Sequence, residues 1–86
     1  MGPLDGRKKY YAIGETDLDL DVPQISSRMH DNISSAVDET IERIKEYLKN
    51  QGYEGKFHAN INVFIKDEDE GAPRLIQTVK TKIVVK

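Results

Sequence analysis

Met29, Ile33, Val37, Ile41, Ile44 and Leu48 recur at spacings of 4, 4, 4, 3 and 4, with Ala36 and Thr40 on the same stripe. That 3.6-residue period predicts one long amphipathic helix. Asn50-Gln51-Gly52 is a natural stop, because glycine readily takes the left-handed conformation that ends a helix. Ser26 or Ser27 would cap an early start and Asp31 a later one, with Pro23 just upstream. Glu39 and Arg43 form a favourable pair one turn apart, whereas Asp38, Glu42 and Glu46 set like charges four apart on the outer face.

The period then changes to two. Phe57, Ala59, Ile61, Val63 and Ile65 point one way; His58, Asn60, Asn62, Phe64 and Lys66 point the other. A second extended stretch places Leu75, Gln77, Val79, Thr81, Ile83 and Val85 in one set and Ile76, Thr78, Lys80, Lys82, Val84 and Lys86 in the opposite one. The polar run 67–73 between them, with Gly71 and Pro73, reads as a turn, and so short a link joins antiparallel neighbours. Nearer the N-terminus, Tyr10-Tyr11-Ala12-Ile13 reads as strand, and Leu18, Leu20 and Val22 alternate with Asp17, Asp19 and Asp21. Gly14 marks either a bulge in one bent strand or a turn between two, and Pro23 should end the segment. The expected fold is α+β: a three-stranded, mainly antiparallel sheet with one long helix on one face, in the order βαββ.

Composition narrows the function classes. With 86 residues the chain makes one domain, expected over 9–86 behind a flexible segment 1–8. A deep catalytic cleft needs more chain than this unless several copies build it. Nine Ile and six Val among the apolar residues favour sheet. Cysteine is absent, which excludes disulfides, thiolate metal sites and thiol nucleophiles, and points to a reducing, cytoplasmic setting. No apolar run near the start suggests a signal peptide, and none approaches a membrane span of about twenty residues. Phosphate-loop and dinucleotide glycine motifs are also missing. The histidines, His30 expected on the helix and His58 on a strand, have no metal-ligand spacing. The reading is therefore non-enzymatic, with no catalytic set, metal or cofactor.

A single helix covers one face of a sheet, so the other face becomes the candidate interaction surface: His58, Asn60, Asn62, Phe64, Lys80, Lys82 and Val84. The strand, helix, strand, strand order resembles that of several small oligomer-forming proteins, the flavin-storing dodecins among them, in topology only. Trp is absent, so no indole exists to stack a flavin, and that activity is not carried over. The expected partner is a second copy or another protein. Nucleic acid ranks second, through Phe64 and the lysines of the C-terminal hairpin. Net charge is -2, and residues 12–46 alone carry -6, which argues against wrapping a polyanion with the whole surface. Asp17, Asp19, Asp21, Asp38, Glu42 and Glu46 would form an acidic surface able to steer a basic partner, as a small viral or mobile-element inhibitor would. The three aspartates at period two are read as a solvated strand face rather than a cation site.

Overall fold

The helix starts where a side chain first satisfies its exposed amides. Asn32 has an extended backbone, and its Oδ1 accepts from the Ser35 N–H at 2.8 Å, an N-cap that opens helix α1 at Ile33–Asn50. The start therefore lies beyond Ser26, Ser27 and Asp31. Met29 and His30 fall outside the helix, although Met29 fits its apolar period. At the other end Gly52 takes φ 87°, and the Tyr53 and Gly52 amides donate to the Leu48 and Lys49 carbonyls at 2.9 and 3.1 Å. This pair of bonds closes the C-terminus at the expected glycine.

In the computed structural model, residues 8–18, 22–67 and 71–86 are described. Around α1 stand β1 (Lys8–Thr16), β2 (Ile25–Ser26), β3 (Gly55–Asp67) and β4 (Arg74–Val85). They form one antiparallel sheet in the order β2-β1-β3-β4. The α+β architecture with a helix on one face is as expected, and β2 adds a short fourth strand. That strand escapes a periodicity reading because two residues are too few to alternate. The segment continues alongside β1, where Tyr10 and His30 exchange backbone bonds of 2.8 and 2.7 Å, so His30 belongs to the sheet margin. β1 begins at Lys8, one residue ahead of the expected domain, and ends at Thr16. Asp17 and Val22, at the two ends of the expected extension, lie in bends, and its middle, 19–21, falls outside the described residues.

Ala12, Gly14 and Thr16 face the helix from β1, and Ala59, Ile61 and Val63 do so from β3. Ala36, Thr40, Ile44 and Leu48 come down onto them, and Ile83 and Val85 complete the core from β4. The small side chains of β1 let the helix lie close. Thr40 is fully buried but satisfied, its hydroxyl donating to the Ala36 carbonyl at 2.9 Å. Each fully buried Ile or Leu contributes about 1.5–3 kcal/mol of burial. This apolar layer, more than helix propensity, holds α1 in place.

The β3–β4 hairpin runs past the helix. All residues of β4 from Arg74 to Thr78 are exposed, whereas Ile83 and Val85 are buried. The molecule is consequently long and narrow, 49 × 20 × 18 Å. A bulge between Val63 and Phe64 changes the register of the pair: Val63 opposes Gln77, but Phe64 opposes Leu75. Leu75 thus moves out of the inward set to which simple alternation assigned it and joins Phe64 on the face away from the helix.

Candidate interaction face

The open face is built by residues that alternate with the core. His58, Asn60, Asn62 and Phe64 leave β3 opposite the buried Ala59, Ile61 and Val63. Lys82 lies across from His58, Lys80 across from Asn60, and Val84 across from Lys56. All seven expected surface residues therefore share this face. Val84, at 43% exposure, lies opposite Lys56 near the far end of β3 from Phe64, away from its level.

Sequence reasoning missed what β1 brings. Tyr11 is the register partner of Phe64, and their rings stack with centroids 5.2 Å apart and planes 13° from parallel. Ile13 follows on the same side, opposite Asn62, whose Oδ1 accepts from the Thr78 hydroxyl at 2.9 Å. The available signal was the run of small residues Ala12, Gly14 and Thr16. Small side chains at period two mark the strand face beneath a close helix, and so set Tyr11 and Ile13 on the other.

Met29 extends this row. Arg28 Nε and His30 Nε2 both lie 2.9 Å from the Glu39 carboxylate on the helix side. Met29 between them consequently turns toward the open side, beside Tyr11, and is 48% exposed. With Leu75 at 52% and the bulged Ile76 at 40%, an apolar row Met29, Tyr11, Phe64, Leu75 crosses the sheet from the β2 margin to the β4 edge.

Below the row the face is charged, with opposite signs at its two sides. Glu15 of β1 opposes Asn60, which opposes Lys80 of β4. One level on, the Asp17 amide donates to the His58 carbonyl at 3.1 Å, and His58 opposes Lys82. The first row thus reads carboxylate, amide, ammonium across the face, and the second carboxylate, imidazole, ammonium. Glu15 also accepts from Gln24 Nε2 at 3.0 Å.

Of the expected acidic surface, Asp17, Asp38, Glu42 and Glu46 are exposed, while Asp19 and Asp21 lie outside the described residues. Asp17 is on the sheet side and the others are on α1, so the structure does not gather them into one patch. Glu42 is paired with Lys45 at 3.8 Å. Glu39 is the more constrained carboxylate. It accepts from the Arg28 backbone N–H at 2.7 Å and lies 3.6 Å from Arg43, its expected pair one turn on. The Arg28 amide, then His30, hold its pKa down to about 2. Hydrogen bonding to Lys9 lowers the pKa of Asp31. These contacts pin residues 28–31 to α1 and β1.

Among the described residues no three His, Asp or Glu side chains converge as a metal site would require, and no helix is long and apolar enough to cross a membrane. No protein-family model, curated protein or solved structure matches the chain.

Proposed function

We propose that the protein is a non-enzymatic protein-interaction module that docks through its open sheet face. The observation that carries this reading is the apolar row Tyr11, Phe64, Leu75, in which β1, β3 and β4 each place an apolar side chain at one level and the segment after β2 adds the exposed Met29. Scattered surface apolar groups are ordinary, but a contiguous band rimmed by polar residues is what a protein interface requires. The β4 edge adjoins the band and adds Ile76. It is a secondary contact, because Lys80, Lys82 and the bulge all discourage strand addition there.

Nucleic acid fits less well. Lys66, Lys80 and Lys82 would attract a phosphate backbone, but Glu15 and Asp17 on the same face would repel it. One face of the Phe64 ring is already occupied by Tyr11. The steering role of the acidic outer helix face, and a reducing cytoplasmic location, belong to the same proposal.

The test compares the native particle from its source, with whatever stays bound, against one carrying Phe64→Asp. The reading expects the unmutated protein to run heavier than a 9.8 kDa monomer, and the variant to lose that mass with its circular dichroism unchanged. Identical monomeric masses for both would remove the docking role. Binding to short oligonucleotides that weakens steeply with salt would replace it with the nucleic-acid reading.

A further inference from the structure

Resting on the docking reading above, we infer that the occupant of the open face is a second copy of this chain, stacked sheet on sheet about a two-fold axis that runs along β3. The argument is the self-complementarity of the face. An axis parallel to the strands, lying between two facing sheets, keeps every cross-strand row at its own level and exchanges β1 with β4. Neighbouring strands are evenly spaced at about 4.8 Å, so the exchange brings partners into line.

Row by row, the chemistry matches. At the apolar level Phe64 meets its own copy and Tyr11 meets Leu75. At the next levels Asn62 and Asn60 meet themselves. An amide carries both donor and acceptor, so it can pair across a symmetry axis where a lysine could not. At the Asn60 level Glu15 faces Lys80 of the second copy, and at the His58 level Asp17 faces Lys82, each contact occurring twice. The same axis sets Lys66 near its own copy one level past Phe64 and Lys56 near its copy one level past His58; both are exposed, and their long stems carry the charges outward to water. An isologous interface demands that one patch complement itself, and the acid-to-base gradient across three strands meets that demand.

The experiment is sedimentation velocity on the purified protein from about 5 to about 500 µM, a range that spans weak to moderate dimer affinities. The unmutated chain is expected to populate a species of twice the 9.8 kDa monomer mass. Glu15→Lys alone and Lys80→Glu alone should each weaken dimerisation roughly tenfold or more, because each sets like charges in contact twice. The double variant Glu15→Lys/Lys80→Glu should recover the dimer, and an equimolar mixture of the two single variants should form heterodimers. Folding defects or an unrelated interface would give no such rescue.

A dimer indifferent to all three changes overturns the register and the inference with it. A monomer at every concentration also overturns it. In that case a heavier particle from the source that is lost with Phe64→Asp leaves the docking reading standing with a different protein as occupant. Monomeric mass in both experiments ends both.

Discussion

Tyr11 and Phe64, 53 residues apart in the chain, stand opposite one another on β1 and β3 with their rings 5.2 Å apart and almost parallel. Their stacking is the centre of the open face and gives the first expectation. A double-mutant cycle with Tyr11→Ala and Phe64→Ala, followed by urea unfolding at low protein concentration, should yield a coupling of about 0.5–1.5 kcal/mol. Strict additivity of the two losses would mean that the rings do not support each other.

Gly14 should not tolerate even a methyl group. A Cβ there would come within 2.6 Å of Ile44 Cδ1, 2.7 Å of Thr40 Cγ2 and 2.9 Å of Ile61 Cδ1. Gly14→Ala is therefore expected to cost about 1–3 kcal/mol by overpacking, despite the better strand propensity of alanine. Ile44→Val removes one of the three clashing atoms, so the penalty for Gly14→Ala should shrink in that background. An equal penalty in both backgrounds would place the strain elsewhere.

The N-cap offers a cleaner test, because Asn32 is exposed and its contribution is local. Asn32→Ala should lower stability by about 1 kcal/mol. Asn32→Asp keeps the acceptor and adds negative charge at a first turn that holds no acidic residue, so it should be neutral or stabilising by up to about 1 kcal/mol. Matching losses in the two variants would show that the Ser35 hydrogen bond does not matter.

Glu39 predicts a pH dependence. Its pKa is held at about 2 against an ordinary 4.5, so the folded state favours the charged form. The associated stability is complete above pH of about 4.5 and is lost as pH falls toward 2. Glu39→Gln, which leaves Arg28, His30 and Arg43 facing a neutral amide, should lower stability at neutral pH. It should also flatten the decline of the urea midpoint across that acid window. Parallel curves for the two proteins would show that Glu39 is not responsible.

The helix, the β3–β4 hairpin and the covered face were legible because each rests on a local period. Ile33 to Leu48 repeats at the helical spacing, and Phe57 to Ile65 alternates. Met29 misled for the same reason: it continues the apolar period one step too far, and only the Asn32 cap shows that the backbone is not yet helical. His30 followed it. Leu75 changed faces because one bulged residue inverts every side chain beyond it. Leu18 to Val22 alternates as a strand should, but in the described part of that segment the ladder with β3 stops at Thr16, opposite Ala59.

By itself the sequence determined the body of the helix, the two strands of the C-terminal hairpin and which face of β3 is buried, since those follow from the spacing of apolar side chains along a short length of chain. Tertiary structure alone decided that Tyr11 stacks on Phe64, that Met29 and Leu75 extend their row, and that Glu15 and Lys80 flank one level of the sheet. Those relationships depend on strand order and register, which are set by long-range packing of Ala12, Gly14 and Thr16 beneath α1. No local pattern carries that information.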